Sequence, residues 1–188
     1  MLNWFLAFFI GKSTEVTQPD FPVLSKDQQL KNYTLPKLQE DEGNRIRKGR
    51  HYPYKDTKGK WTIGYGRNLT AKGISESEAL MLLESDYKEA LVDTKDLFPV
   101  SWAQFTIAQH SALVNLVFNM GKAGMQSFKV TLPLLREGKI KQAIENFKVS
   151  KWSRDVKKNR TKRVLGLLDN KDYYQSSKVF RDNLEDSE

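Results

Sequence analysis

The apolar pattern of this chain changes period near Ser75, and that change constrains the fold more than any other feature. Upstream, residues 52–55 and 61–65 are short strand-like runs on either side of Asp56-Thr57-Lys58-Gly59, a β-hairpin signal. Downstream the period is helical. Ser75-x-x-Glu78 forms a capping box opening a helix to about Val92, with Leu80, Leu83, Tyr87 and Leu91 on one face. Residues 103–120 are apolar on most sides, as a buried central helix requires. Shorter helices are expected over 132–137, 140–148 and 160–168, separated by Gly138 and the region 151–155. Strands segregated from helices predict an α+β fold, mostly α, with a small β-hairpin lobe and a larger helical lobe. The cleft between two such lobes is a natural ligand site.

Ahead of the hairpin, Thr34-Leu35-Pro36 predicts a helix start, since proline is tolerated in a first turn. That short helix ends in Gln39-Glu40-Asp41-Glu42, and Gly43 stops it. Residues 13–33, with Pro19 and Pro22, are expected to form a linker or extended arm. Residues 4–10 are an unbroken apolar run, shorter than the ~20 residues that span a bilayer. Three roles are open for this run: docking onto a partner protein or the domain itself, anchoring at a membrane surface, or export. The expected organisation is therefore an apolar segment and arm over 1–33, a compact domain over 34–180 and an acidic tail over 181–188.

The chain has no cysteine, which excludes disulfides, Cys-ligated metals and a cysteine nucleophile. Its two histidines, His51 and His110, leave little for a Ser-His-Asp triad or a multi-histidine metal site. His51 is expected in a loop and His110 as a satisfied core histidine. The net charge of +8 points to an acidic partner: nucleic acid, an anionic membrane surface or an anionic cell-wall polymer.

Three residues could carry chemistry near the expected cleft. Glu42 closes the first helix, Asp56 opens the hairpin turn, and Thr62 lies on the returning strand. A carboxyl at a helix C-terminus faces the negative end of the dipole, which disfavours its ionised form, as would partial burial between lobes. Glu42 is thus expected to retain its proton, as a general acid needs. Asp56, in a polar turn with backbone N–H groups nearby, is expected to stay ionised and orient a water. Two carboxyls in contrasting environments suit glycosidic bond cleavage. The Thr62 hydroxyl can hold the attacking water.

The residues around this trio carry a resemblance. Asp41-Glu42-Gly43, followed by Tyr54-Lys55-Asp56-Thr57-x-Gly59-x-Trp61-Thr62-Ile63-Gly64-Tyr65-Gly66, resembles the phage-type lysozymes, glycoside hydrolase family 24. Ile74-Ser75-x-x-Glu78-Ala79, Asn115-Leu116-Val117-Phe118-Asn119-Met120-Gly121, Ser150-Lys151-Trp152 and Asn159-Arg160-x-Lys162-Arg163-Val164 continue it in the family's order. The resemblance implies a lysozyme-like fold. It also implies a muramidase that cuts peptidoglycan between N-acetylmuramic acid and N-acetylglucosamine with inversion, using no metal or cofactor. By the same resemblance Glu42 matches the catalytic acid, Asp56 the second carboxylate and Thr62 the water-holding threonine. Arg160 matches the arginine that pairs with the acid. Gly64, Tyr65 and Phe118 would lie along the sugar chain.

The sequence departs from the family in two places. The span from Glu42 to Asp56 is longer, and its surplus, Arg47-Lys48-Gly49-Arg50-His51, is basic. Arg67 stands where the family often has histidine, a change expected to affect folding more than catalysis. The dense basic run from Lys157 to Arg163 is either a solvated helix start or a surface attracted to the anionic cell wall, the latter favoured because Arg160 falls in the family motif; its lack of interleaved aromatics argues against nucleic acid as a partner. Trp152 is expected in the core. The expected partner is peptidoglycan, with residues 2–10 meeting phage tail or capsid proteins or a membrane. Such an enzyme would be phage-encoded. It would act on the wall from the host cytoplasm or periplasm, or as a virion component. The alternative is a lysozyme-like domain that binds peptidoglycan or serves as a structural part of a phage virion without turnover.

Overall fold

A computed structural model of the 188-residue chain describes residues 24–42 and 46–171. The apolar run 4–10, Gly43 and the acidic tail 181–188 lie outside the described residues. The chain divides into two compact units, one ending at Gly73 and one starting at Ile74. The division falls where the apolar period changes.

In the first unit, helix α1 spans Lys26–Glu42. It starts earlier than Thr34, and Pro36 lies inside the helix, not in its first turn. The start is set by Ser25, whose Oγ accepts from the Gln28 amide at 3.2 Å while its carbonyl accepts from the Gln29 amide. The stretch from Lys26 to Tyr33 is therefore helix and not extended arm. Pro36 donates no bond to the carbonyl one turn back, so this helix is held with one rung missing. No residue of α1 is buried.

Two small antiparallel sheets follow. β1 (Ile46–Arg47) pairs with β2 (Arg50–His51), with Arg47 opposite Arg50. Lys48 and Gly49, both at positive φ, form the tip. The basic surplus is thus a second hairpin, and His51 sits on a strand instead of a loop. β3 (Tyr54–Lys55), β4 (Trp61–Ile63) and β5 (Arg67–Asn68) form the second sheet in the order β3-β4-β5. Helix α2 (Leu69–Lys72) closes the unit, with the Asn68 side chain accepting from the Ala71 amide. Arg67 Nε donates to the Gly73 carbonyl at 2.9 Å, a fold-holding role for this residue.

The second unit is helical. α3 (Glu76–Leu97) opens on the expected capping box, with the Ser75 amide and Oγ both bonding Glu78 Oε2. It continues past Val92, and Ala90, Thr94 and Leu97 in its last turns are buried. A 3₁₀ turn over Trp102–Gln104 precedes α4 (Ile107–Gln126), so the central helix begins after 103. A second capping box, Thr106 with Gln109, sets that start, and Gly121 at φ 72° breaks the helix near its end. α5 (Thr131–Arg136), α6 (Ile140–Lys148), α7 (Lys151–Asp155) and α8 (Lys158–Leu168) complete the unit. α4 packs between α3 and α8, and Leu113, Leu116, Phe147, Val164 and Leu168 are fully buried around it. Trp152 is buried, and its Nε1 donates to Asn119 Oδ1 at 2.8 Å. His110 stacks on Trp102 and bonds its carbonyl at 2.8 Å through Nε2; it is satisfied, but half-buried on the wall of a groove and not in the core.

Candidate active site

The two carboxylates and the threonine come from three different local structures of the first unit. Glu42 is the last residue of α1, and it is exposed instead of partly buried. Its carboxylate lies on the turn joining β4 to β5. A Cβ built on Gly66 would stand 2.6 Å from Glu42 Oε2 and 3.1 Å from its Cδ. Gly66 is at φ 80° and Gly64 at φ 61°, so the turn needs glycine for its backbone as well as for the carboxylate above it. Gly66 belongs to the sequence pattern of the hairpin, but its contact with Glu42 has no local signal. The paired glycines flanking Tyr65 are the one hint of a close approach.

Asp56 sits at the mouth of the β3–β4 turn. Its Oδ1 accepts from the Lys58 and Lys60 amides, each at 2.8 Å. The Asp56 amide in turn donates to the Lys60 carbonyl, and the Gly59 amide donates to the Asp56 carbonyl. The side chain therefore closes an Asx turn that fixes its own direction. This is the amide-lined polar turn expected for Asp56, and Oδ2 lies outside those two bonds.

Thr62 occupies the middle of β4, paired with Tyr54 on one side and Asn68 on the other. It is 4% exposed, and its Oγ1 donates to the Lys60 carbonyl at 3.3 Å. That leaves the hydroxyl lone pairs for a further donor. Lys60 thus links the two residues, giving its amide to Asp56 and its carbonyl to Thr62.

Of the expected sugar-contacting residues, Gly64 and Tyr65 belong to the turn that carries Gly66. Tyr65 is exposed, and its ring meets the His51 ring edge-on at 5.0 Å, tying the basic hairpin to this turn. Arg160 and Phe118 belong to the second unit. Arg160 Nη2 donates to Asn115 Oδ1 at 3.1 Å. Both residues, with an exposed Phe118, line a groove of about 930 Å³ walled by Leu80, Leu83 and Tyr87 of α3. Asn115 is a partner for Arg160 that the sequence pattern contains but does not single out. Among the described residues, no group of three or more His, Cys, Asp or Glu gathers to hold a metal. No helix among the described residues is long and apolar enough to cross a membrane.

The chain is similar to two proteins of Dictyostelium discoideum, Probable T4-type lysozyme 1 and Probable T4-type lysozyme 2, at 26% and 27% identity. Each alignment spans 70% of this chain and 91% of the relative. The family model for phage lysozyme matches residues 45–172, a span that includes Asp56, Thr62 and Arg160 and starts just after Glu42. A match over most of the length, on a mostly helical chain with small antiparallel sheets, means that the chain belongs to the phage lysozyme family.

Proposed function

We propose that the protein is a peptidoglycan hydrolase, a muramidase cutting the β-1,4 bond from N-acetylmuramic acid to N-acetylglucosamine. The observation that carries this reading is the arrangement of the first unit. One carboxylate rests on a glycine turn, and a second, held by two backbone amides, is linked through Lys60 to a buried threonine hydroxyl.

In this mechanism the Glu42 carboxyl gives its proton to the glycosidic oxygen as the bond to the anomeric carbon breaks. The leaving sugar departs as an alcohol. A water attacks the anomeric carbon from the opposite face and loses a proton. Asp56 Oδ2 holds the water and accepts that proton, and Thr62 Oγ1 fixes the water's position. The Asx turn holds Asp56 rigid, so orienting the water costs little further ordering. Attack opposite the leaving group inverts the anomeric centre. Arg160 is proposed as the partner of the acid and Gly64, Tyr65 and Phe118 as contacts to the sugar chain.

Digestion of purified peptidoglycan with mass spectrometry of the fragments tests the reading. Fragments with reducing N-acetylmuramic acid ends are expected, and reducing N-acetylglucosamine ends would overturn the assigned bond. Wall binding with no fragments at all would make the domain a wall-binding or structural part. We further propose a phage as the user of this activity, in host lysis or in wall penetration. Peptides of this chain in purified virions at stoichiometric level would mean a virion part, and their absence a lysis protein.

A further inference from the structure

The net charge of the chain is not spread over its length. Between Lys139 and Lys171 there are eleven Lys and Arg residues against three acids, a surplus of +8. Residues 1–73 carry +6 over more than twice the length, and residues 74–138 and 172–188 carry −3 each. This stretch is α6, α7 and α8 with their flanks, all within the second unit.

The folded chain gathers much of this charge along one track. Three open grooves of about 390, 310 and 430 Å³ run side by side. The first two share Ile144, Lys148 and Asp169, and the last two share Lys141, Gln142 and Asp169. The track passes from Lys158 and Lys162 over Lys148 to Lys141, all four exposed. Two acids stand in it, and both are engaged: Asp169 with Lys171 and Glu145 with Lys148, each at 2.7 Å. The fields of Lys141 and Lys148 reach Asp169 as well and help to hold its carboxyl below the ordinary value. Lys157 and Lys158 begin α8, where the helix dipole disfavours cations, and no acid lies in that first turn. The electrostatic cost of this crowding falls when an anion lies in the track.

The chemistry of the walls selects the anion. No aromatic side chain lines the three grooves, so nothing is offered for a base to stack on. Of the apolar groups there, Ile144, Leu165 and Leu168 are buried and form the floor and Ile140 is half-buried, so no fully exposed large apolar side chain projects to enter a bilayer. We infer that the α6–α8 track is a binding surface for a flexible phosphodiester polymer without bases, a glycerol-phosphate or sugar-phosphate chain. Its charged oxygens lie along the lysines while its neutral units span the gaps. This surface is separate from the residues of the proposed hydrolytic site and does not depend on that reading.

The test is titration of the full chain with synthetic poly(glycerol phosphate) over a series of salt concentrations. Wild type is expected to bind with a strong salt dependence. The variant K141Q/K148Q/K158Q/K162Q is expected to bind at least about tenfold more weakly at low salt. Each neutralised phosphate on a single-stranded chain adds about 0.7 to the slope of log K against log salt, so the slope should shrink by about 3. The matching set of Lys→Arg changes should restore binding, which separates charge from folding defects. Equal binding by wild type and the Gln variant would overturn the surface. Tighter binding to oligo(dT) of the same charge would replace it with a nucleic-acid site. Binding to phosphatidylglycerol vesicles but not to the polymer would replace it with a membrane site.

Discussion

Gly66 is the residue on which the site's geometry turns. A side chain there would enter the space of the Glu42 carboxylate, and the backbone is in the left-handed region. Gly66→Ala is expected to cost about 1–2 kcal/mol of stability from the backbone alone. It should also lower kcat by displacing Glu42, measurable by denaturant unfolding alongside peptidoglycan clearing. Thr62→Val keeps the shape and removes the hydroxyl, so kcat should fall while the unfolding midpoint moves little; unchanged turnover would remove Thr62 from the mechanism. Asp169 offers a pH prediction away from the site. Its hydrogen bond with Lys171 and the nearby lysine charges hold its carboxyl below the ordinary 3.8 against the opposing effect of desolvation. Its contribution to stability is therefore present above the unfolded value and lost as pH falls through the lowered folded value. In Lys171→Gln the Asp169 titration followed by NMR should move back up toward that ordinary value. The polar turn around Asp56 is legible in sequence because an Asx turn is local chemistry. The contact of Glu42 with Gly66 joins residues far apart in the chain, and no periodicity encodes it.

At the scale of elements, capping boxes were the most informative signals. Ser75-x-x-Glu78 marks the start of α3, whereas α1 starts on the single N-cap bond from the Gln28 amide to Ser25 Oγ, with the Gln28 side chain turned to Asn32. Pro36 drew the expected start to Thr34, because proline is favoured in a first turn; here the helix carries it in the interior. Pro36→Ala should restore the missing rung and relieve a cost of about 3 kcal/mol within α1. Hydrogen exchange of α1 amides should slow in that variant, and unchanged exchange would contradict the assignment of Pro36 to the helix interior. The two-residue strands β1, β2 and β5 are too short for an alternating pattern, so they were not legible in the sequence. The central helix was legible because it is apolar on most sides. Phe147, fully buried against Phe128 and Trp152, anchors α6 to the same core. Phe147→Ala is expected to cost about 3–5 kcal/mol, read as a lowered unfolding midpoint.

The whole molecule divides its labour by unit. The first unit holds the carboxylates and the threonine on short, turn-rich segments, where small residues let side chains approach backbone. The second unit has the continuous hydrophobic core, and within it residues 139–171 concentrate a surplus of +8 that acids elsewhere in the unit largely offset. Fold class was legible because the change of apolar period coincides with the boundary between units. The charge track was legible only in part: the run from Lys157 to Arg163 stands out in sequence, whereas Lys141 and Lys148 join it through the packing of α6 on α8.

The central claim is that Glu42 is the acid of a muramidase. Its most direct test is the release of reducing N-acetylmuramic acid ends from purified peptidoglycan by wild type and by Glu42→Gln, with wall binding measured in parallel. A general acid contributes about 10²–10⁴-fold, so the variant should bind the wall as wild type does and release ends slower by that factor. Release by Glu42→Gln at the wild-type rate would contradict the account.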